Sequence, residues 1–477
     1  MYTRLAPGSR FRSLFGSLSM VVMLVSPALT APPEPKITRH QPTRPLDVAA
    51  VTEDWPSFLG PNHQPATRES HLLKNLSGDN PPLVWEMETG SGYASPAISN
   101  NRLVFFHRIE DDEVLDCLRP ETGEHLWRFS YPTTYHDRYG FSNGPRSSPV
   151  IDGGRVYTMG AAGMLHCVDL ESGQTIWSLD TAEKLSAASE FFGVGSTPLV
   201  MGDLLIVQVG AANGPAVVAL DKKTGDIKWQ CGTGWSAGYA SPIPAVMHDR
   251  PRVLAFLGGD TRPPVGGLML IDPTAGSVLS KFAFRSRRYE SVNASSPVVA
   301  GDRVFISSSY KTGGQCLRVT QDDTLQPLWH TDDLGAHFAT PVVYDGRLYG
   351  ISGSGRQNSA IVCLDLTTGK TLWTHTPQWP ETTERDGEKR TVNYTAGLGS
   401  LLLADDALLL LGEMGHLAWL EPSATGYHEI SRTRLFHAAE TWCLPVVSHG
   451  LLYVCRNRPD TVDKTGPGLL CYDLRAR

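Results

Sequence analysis

The chain has 477 residues, of which 46 are glycine and 34 proline, and its net charge is −7. This composition favours many short strands joined by turns. The acidic balance, without a stripe of lysine and arginine, excludes nucleic acid as an expected partner. Length alone predicts about three domains, but a repeat that runs from residue 81 to residue 477 allows a single repeat domain instead.

The first residues have the composition of an export signal. Three arginines precede an apolar run over residues 14–25, and small residues follow it at Ser26 and Ala28. We therefore predict a signal peptide over residues 1–28 and an exported chain, located in the periplasm or at the cell surface. The apolar run is shorter than the roughly 20 residues that span a bilayer, so no transmembrane span is predicted in the mature chain. A leader that is kept as an anchor is the alternative.

Residues 29–80 are predicted to form an N-terminal extension. Its first part is proline-rich and polar, and we interpret it as a linker. A turn-rich segment from Asp54 to Asn62 follows, and its Trp55 and Phe58 carry apolar rings that need cover. We expect this segment to pack on the domain that comes after it.

A short marker recurs from residue 81 onward. It consists of a small residue, then Ser or Thr, then Pro and an apolar strand, and a second strand follows after a turn. The clear copies end at Pro96, Pro149, Pro198, Pro242, Pro297 and Pro341, a decayed copy ends at Pro445, and residues 395–397 replace the missing one. The copies stand about 50 residues apart, which is the length of one propeller blade. Proline is tolerated at the start of an inner strand because its missing N–H costs no ladder bond there.

A second motif closes most of these units. It is clearest over residues 365–373 (DLTTGKTLW) and recurs over 169–177 and 221–229. The acidic side chain can bond the turn amides and the glycine supplies a positive φ, so each copy predicts a β-hairpin. The tryptophan stands at the same place each time and is expected to fill the same kind of site, burying roughly 150–250 Å². The predicted docking residues are Trp85, Trp127, Trp177, Trp229, Trp329 and Trp373.

Two hairpins per unit give four antiparallel strands, and eight units predict an all-β, eight-bladed β-propeller over residues 81–477. The last unit ends at Asp473 without an outer strand of its own, while the segment around Trp85 is a strand without a blade. We predict that this N-terminal strand completes the last blade, which closes the ring and removes an exposed sheet edge. The propeller is expected to be a monomer.

Eight cysteines in an exported chain raise the question of disulfides. Five of them stand at equivalent places of separate units, too far apart to bridge, and are predicted to be small buried core residues. Cys443 and Cys455 flank the turn at His449 and Gly450 and would face each other across a hairpin. A disulfide between these two is one alternative, and two free thiols are the other.

With these motifs the chain resembles the PQQ-repeat, or quinoprotein alcohol dehydrogenase-like, β-propellers, and DLTTGKTLW is similar to their tryptophan-docking motif. The stretch from Asp54 to Asn62 is similar to that of exported planctomycete propellers. The family contains dehydrogenases that use pyrroloquinoline quinone (PQQ) and non-catalytic relatives such as BamB, a scaffold of outer-membrane protein assembly. The dehydrogenases carry adjacent cysteines beside the quinone and a Ca²⁺ ion, whereas this sequence has no adjacent cysteines. The cysteine that carries the lipid of BamB is also missing.

The loops from each outer strand to the next inner strand gather at one mouth of a propeller's channel. Here these loops carry arginine and aromatic side chains, which suit a planar or anionic ligand or a peptide. Three interpretations stay open: side chains that only plug the channel, a protein interface, and a small-molecule site. The candidate residues are His136, Arg138, Tyr139, Asn143, Arg146, Trp235, Tyr239, Arg287, Tyr289, Asn293, His337, Tyr394 and Trp442.

No catalytic residue and no metal site are predicted. His136 and Asp137 are neighbours, and neighbours on a strand point to opposite faces. The acidic run over residues 110–113 is interpreted as a solvated loop, and the charged insertion over residues 377–391 as a lid or contact arm. We therefore predict a non-catalytic, BamB-like binding or scaffold module with an envelope or periplasmic protein as partner and no cofactor. The alternative is a PQQ- and Ca²⁺-dependent oxidoreductase or a small-ligand-binding propeller.

Overall fold

The computed structural model describes residues 33–76, 81–188, 190–211, 213–385 and 388–476. The predicted signal peptide lies outside these residues. The strands form eight antiparallel sheets, seven of four strands and one of five, together with a separate two-stranded hairpin. The predicted all-β, eight-bladed propeller is confirmed.

The blades are numbered in chain order, and their strands run from the innermost to the outermost. Blade 1 contains Ala97–Ser99, Arg102–Ile109, Asp112–Leu118 and His125–Pro132; blade 2 contains Val150–Asp152, Arg155–Met159, Met164–Asp169 and Thr175–Asp180; blade 3 contains Leu199–Met201, Leu204–Gln208, Val217–Asp221 and Ile227–Cys231; blade 4 contains Ile243–Met247, Arg250–Leu257, Gly267–Asp272 and Ser277–Ala283. Blade 5 contains Val298–Ala300, Arg303–Ser308, Gly313–Val319 and Leu325–Thr331; blade 6 contains Val342–Tyr344, Arg347–Ser352, Ala360–Asp365 and Thr371–His375; blade 7 contains Ser400–Ala404, Ala407–Leu411, His416–Glu421 and His428–Arg434; blade 8 contains Val446–Ser448, Leu451–Arg456, Gly468–Asp473, Leu83–Glu88 and Ile37–Arg39. The insertion forms the hairpin of Trp379–Arg385 and Glu388–Tyr394, and the helical segments are the α-helix Thr181–Leu185 and the 3₁₀ turn Arg356–Asn358.

Blade 8 is closed by strands from both ends of the chain. Trp85 lies opposite Cys471, and Glu86 lies opposite Leu470, in antiparallel register. The predicted closure by an N-terminal strand is therefore confirmed. A further short strand, Ile37–Arg39, pairs with the outer side of Leu83–Glu88, so part of the stretch interpreted as a linker belongs to the sheet.

The repeated tryptophans join neighbouring blades. The indole N–H of Trp127 donates to the carbonyl of Leu170 in the outer turn of blade 2 at 2.9 Å, and a Cβ added to Gly173 in that turn would lie 2.5 Å from the indole ring. The indole N–H bond recurs around the ring, from Trp85 to Pro120, Trp177 to Lys222, Trp229 to Pro273, Trp329 to Leu366 and Trp373 to Ser423, and all of these except Trp373 also lie against a turn glycine. The turn glycine is thus needed for its positive φ and also because the ring lies directly on it.

The Ser or Thr of the marker also links the blades, at the inner strands. The hydroxyl of Ser148 accepts from Ser95 N–H of the preceding blade at 2.9 Å, and the same bond joins Ser148 N–H to Thr197, Thr197 N–H to Ser241, Ser241 N–H to Ser296 and Ser296 N–H to Thr340. These bonds satisfy buried backbone donors that the start of each strand leaves unpaired. The series stops at blade 6, because residues 395–397 of blade 7 lack the Ser-Pro or Thr-Pro pair.

The N-terminal extension covers the end of the ring at which the inner strands finish. Trp55 is fully buried and forms a bridge with Ile98. Other residues of the extension bond to inner strands of blades 2, 5, 7 and 8, through Pro56 to Ile151, Gln64 to Val299, Pro65 to Leu403 and Glu53 to Ser448. The expected packing of this segment on the propeller is present, and it leaves the opposite end as the mouth.

Candidate binding surface at the channel mouth

The mouth is formed by the loops at the end of the ring where the inner strands begin. Aromatic side chains from six of these loops meet there and form a continuous set, which we call the aromatic cluster: Tyr93, Tyr139, Phe141, Phe191, Phe192, Tyr239, Phe338 and Trp442. Its members come from the loops before blades 1, 2, 3, 4, 6 and 8. Aromatic rings at such positions are brought together only by ring closure, because they are far apart in sequence.

Phe192 and Trp442 stand at the two centres of this cluster. The ring of Phe192 lies 5.0 Å from Tyr139 and 5.8 Å from Phe141, between ring centroids. The ring of Trp442 lies 5.7 Å from Phe338 and 6.1 Å from Phe141. Tyr139 and Phe141 remain 38% and 41% exposed, so the cluster fills the mouth and also presents apolar rings to the outside.

Asp137 holds the loop that carries the two exposed rings. Its carboxylate accepts backbone N–H bonds from Tyr139 and Phe141, both at 3.0 Å, and the guanidinium of Arg146 pairs with it at 3.0 Å. The side chain of Asp137 is completely buried, whereas His136 is exposed. The two neighbours therefore do not form a catalytic pair.

The arginines of the mouth lie against the aromatic rings. Arg146 lies over Tyr93 at 5.8 Å and over Phe192 at 5.9 Å. Arg138 lies over Tyr139 at 5.3 Å and pairs with Asp260 at 2.8 Å. Cation–π contacts of this kind contribute about 0.5–1 kcal/mol when exposed, so they orient the guanidinium groups more than they stabilise the fold.

Glu190 is a buried carboxylate beneath the cluster. It accepts the backbone N–H of Asp260, and its second oxygen has no hydrogen-bond partner among the described residues. Burial raises the pKa of Glu190 to about 7, since the charged form loses its hydration. The pKa of Tyr239 beside it is well above its usual value, first through burial and then through the charge of Glu190.

The structure brings seven of the thirteen predicted site residues into the mouth, in contact with the aromatic cluster: Arg138, Tyr139, Arg146, Tyr239, Tyr289, His337 and Trp442. Burial lowers the pKa of His337 to about 4, which keeps the imidazole neutral near pH 7. Arg287 is exposed on the rim.

The other predicted residues have different surroundings. Asn143 and Asn293 fix loops: the first accepts Asp137 N–H at 2.8 Å, and the second is fully buried and donates to two backbone carbonyls. Trp235, in the loop between blades 3 and 4, packs near Lys281 of blade 4, and Tyr394 packs on His416 at the base of the inserted hairpin. His136, Trp235 and Tyr394 make no ring contact with the aromatic cluster among the contacts of the described residues.

Cys443 and Cys455 are both buried free thiols in the structure. The pKa of Cys455 is well above its usual value. The larger cause is its contact with the Cys443 thiol, and burial is the second cause. Cys443 also accepts a hydrogen bond from the Asn457 amide at 3.2 Å. The two sulfur atoms are thus neighbours, and their pairing stays a prediction.

At the mouth, the side chains that could meet a planar quinone or a calcium ion are engaged with one another. No group of three or more His, Cys, Asp or Glu side chains within residues 33–476, apart from the gaps in that range, is placed to hold a metal. The carboxylates of Asp137 and Glu440 are already bonded to Arg146 and Arg458. The aromatic rings are in mutual contact, and the space beside His337 admits no water molecule.

Sequence reasoning missed the residues of the turns between the second and third strands of the blades. These turns lie at the same end of the ring and supply Tyr310, Arg262 and Arg458. Arg458 pairs with Glu440 at 2.6 Å, and Glu440 in turn accepts from the Tyr93 hydroxyl. The strand order within each unit predicts this placement, because the turn between the second and third strands and the loop between blades lie at the same end of the ring.

Fold and site together define a closed, eight-bladed propeller with one end covered by its own N-terminal extension and an aromatic, arginine-lined mouth at the other. Residues 110–376 match the model of a protein family described as outer membrane protein assembly factor BamB. Because this match covers more than half of the chain, the protein belongs to that family of PQQ-repeat propellers.

The similarity to individual proteins is distant. The chain is 24% identical over 228 residues to outer membrane protein assembly factor BamB of Yersinia pestis, which covers 47% of this chain and 55% of that protein, so the match spans about half of the relative's length. The structure of BamB from Moraxella catarrhalis superposes with a TM-score of 0.51 and 15% identity, covering 80% of this chain and 95% of that one. Quinohemoprotein alcohol dehydrogenase from Comamonas testosteroni superposes with a TM-score of 0.58 and 12% identity, covering 89% and 81%. At these identities the superpositions establish the fold alone.

The helices of the described residues are short. None of them has the length and hydropathy that a membrane span requires.

Proposed function

We propose that the protein is an exported, non-catalytic scaffold of the cell envelope, and that its mouth binds a protein partner. The observation that carries this proposal is the aromatic cluster, which fills the channel and keeps Tyr139 and Phe141 exposed at its surface. Exposed aromatic rings next to arginine are the usual anchors of protein interfaces. Two large rings exposed to water at one place do not stabilise a fold, and such exposed apolar surface marks interaction sites.

The loops of the mouth are also rigid enough to serve as an interface. Asp137 ties the loop of blade 1 by three backbone N–H bonds and one ion pair. Glu440 joins Tyr93 to Arg458 across blades 8 and 1. An interface whose loops are already ordered loses less conformational entropy on binding. Membership of the BamB family supports a partner in the envelope, and the name of the Yersinia pestis relative describes an assembly factor.

Photo-cross-linking tests this proposal. A benzoylphenylalanine at position 139 or 141 is expected to give discrete adducts with one envelope protein in intact cells. Matched control positions are Ile176 and Val246, which are 42% and 71% exposed but lie on strands away from the mouth. Equal adducts at mouth and control positions, or none at the mouth, would contradict the proposal.

A second measurement addresses the dehydrogenase alternative. The purified protein is titrated with PQQ and Ca²⁺, and the absorbance of retained quinone and the reduction of an electron-accepting dye by alcohols are recorded. We expect neither stoichiometric retention nor dye reduction. Tight binding with dye reduction would replace the scaffold by an oxidoreductase.

A further inference from the structure

Three neighbouring loops at the rim of the mouth carry exposed cations. They cover residues 258–266 and 284–293 of blade 4 and residues 309–312 of blade 5, and their exposed cations are Arg262, Arg287, Arg288 and Lys311. We call these four residues the rim cations. Among the described residues, no carboxylate lies within ion-pairing distance of them, although almost every other arginine of the mouth has such a partner.

Two of the rim cations are stacked on tyrosine rings. The guanidinium carbon of Arg262 lies 3.8 Å from the ring centre of Tyr289, and that of Arg288 lies 4.8 Å from the ring centre of Tyr310. A guanidinium that is stacked on a ring keeps the N–H groups at its edge free. Those donors match the two oxygens of a carboxylate.

The loops are held in place from below by Arg285. Its guanidinium donates to Thr261 Oγ1 and to the Val265 carbonyl, both at 3.0 Å, and to the Ser291 carbonyl at 2.6 Å. These bonds tie the two loops of blade 4 together. The Tyr289 hydroxyl donates to Asp260 at 2.9 Å, which fixes the ring on which Arg262 is stacked.

The charge of this rim differs from that of the chain as a whole. The only carboxylates in the three loops are Asp260 and Glu290, and Asp260 is already engaged by Arg138 and Tyr289. Glu290 offsets only one of the four rim cations, so the rim stays net positive on a chain of net charge −7 and attracts acidic groups locally, at distances up to about 10 Å in ordinary salt. Such a rim sets the rate and the specificity of association more than its affinity.

The rim continues into the aromatic cluster. Tyr289 lies 5.1 Å from Phe191, and Tyr310 lies 5.4 Å from His337, which contacts Phe338. A partner seated on the exposed rings of the mouth would therefore reach the rim without leaving the surface.

We propose that the rim cations bind an acidic segment of the partner polypeptide, with carboxylates paired edge-on to Arg262 and Arg288. This inference rests on the proposed scaffold function and names the chemistry of its partner. The four cations are spread over three loops instead of converging on one point, so they suit several carboxylates along an extended chain better than a single phosphate.

Fluorescence anisotropy of purified protein with labelled peptides tests the inference. The probe is an oligo-glutamate peptide with interspersed tyrosines, and an oligo-glutamine peptide of the same pattern is the matched control. We expect binding of the glutamate peptide only, weakened as salt is raised. The double substitution Arg262→Gln with Arg288→Gln is expected to lower its affinity about tenfold, as the loss of two exposed charge pairs implies. Lys370→Gln, which changes an exposed charge in an outer turn of blade 6, is expected to leave the affinity unchanged.

Three outcomes would overturn the inference: equal affinity for both peptides, no effect of the double substitution, or an equal loss from Lys370→Gln. Tighter binding of a labelled single-stranded oligonucleotide than of the glutamate peptide would also overturn it. Far-ultraviolet circular dichroism shows that the variants are folded.

If the cross-links at positions 139 and 141 form but the peptide result is negative, the scaffold function stands and only the acidic recognition fails. If the peptide binds and no mouth cross-link forms, the scaffold function fails alone.

Discussion

The contact between a tryptophan of one blade and a turn glycine of the next can be measured with a matched pair of substitutions. Gly369 has a φ of +74°, and a Cβ at this position would lie 2.4 Å from the ring of Trp329. Gly346 has nearly the same φ, +71°, but a Cβ there would meet no atom within 4 Å. Gly369→Ala and Gly346→Ala therefore share the backbone strain and differ only in the clash.

The expected magnitudes follow from these contacts. A left-handed backbone costs alanine about 1–2 kcal/mol, so Gly346→Ala should lower the free energy of unfolding by that amount. Gly369→Ala also displaces the indole of Trp329. The displacement removes the indole N–H bond to Leu366 O, worth about 1 kcal/mol, and part of a buried area worth about 1–2 kcal/mol for a partly buried ring. We expect Gly369→Ala to cost about 3–5 kcal/mol in total.

Urea-induced unfolding followed by circular dichroism measures both variants under the same conditions. A double-mutant cycle with Trp329→Ala isolates the contact. In the Trp329→Ala background, Gly369→Ala should cost no more than Gly346→Ala does in the wild-type protein. Equal costs for the two glycine variants in the wild-type background would refute the idea that the indole ring restricts this turn.

Three further predictions concern the inner ring, the buried carboxylate and the two thiols. Thr197→Val keeps the side-chain shape but leaves Ser148 N–H without its acceptor, so it should lower the free energy of unfolding by about 1–3 kcal/mol. Thr197→Ser keeps the hydroxyl and should lower the free energy of unfolding by less. The reverse order of the two variants in urea titrations would contradict the role of the hydroxyl. Burial raises the pKa of Glu190 from 4.5 to about 7, so the contribution of this group to stability should fall by up to about 3 kcal/mol as the pH rises from 4.5 to above 7; the difference in unfolding free energy between the wild-type protein and Glu190→Gln should change with pH by that amount, and a difference that is constant with pH would refute the assignment. Cys443 and Cys455 should form a disulfide in protein isolated from an oxidising compartment, which peptide mapping by mass spectrometry with and without reductant detects; two alkylated thiols without prior reduction would contradict it.

The fold could be predicted because its physical requirements repeat. Five of the six docking tryptophans lie against a turn glycine of the next blade, and the inner strands of blades 1 to 6 begin after a Ser-Pro or Thr-Pro pair, so both signals recur at the blade spacing. The role of the Ser or Thr itself was not predicted. Its hydroxyl accepts a hydrogen bond from the preceding blade, and a partner so far away in the chain leaves no local pattern.

The mouth was predicted only in part for a similar reason. The loops between blades were recognised as its walls, and Tyr139, Arg146 and Trp442 do meet there. The individual contacts depend on loop conformation: the carboxylate of Asp137 folds its loop inward and leaves His136 outside. Hydrogen bonds within the loop decide which of two neighbouring side chains points inward, and the periodicity of the sequence does not predict these bonds.

Blade 7 shows why the N-terminal extension is part of the propeller instead of a spacer. This blade lacks the Ser-Pro or Thr-Pro marker, and its outer strand places Ser431 opposite Trp419, at the position where blades 1, 2, 3, 5, 6 and 8 have a docking tryptophan. Its Trp419 instead donates its indole N–H to the carbonyl of Leu73 at 3.0 Å, and Leu403 exchanges backbone bonds with residues 65–67. The extension therefore supplies the lateral bonds that the neighbouring blade gives elsewhere. Because the same segment covers one end of the channel, the fold leaves the aromatic mouth as the end through which a partner can approach.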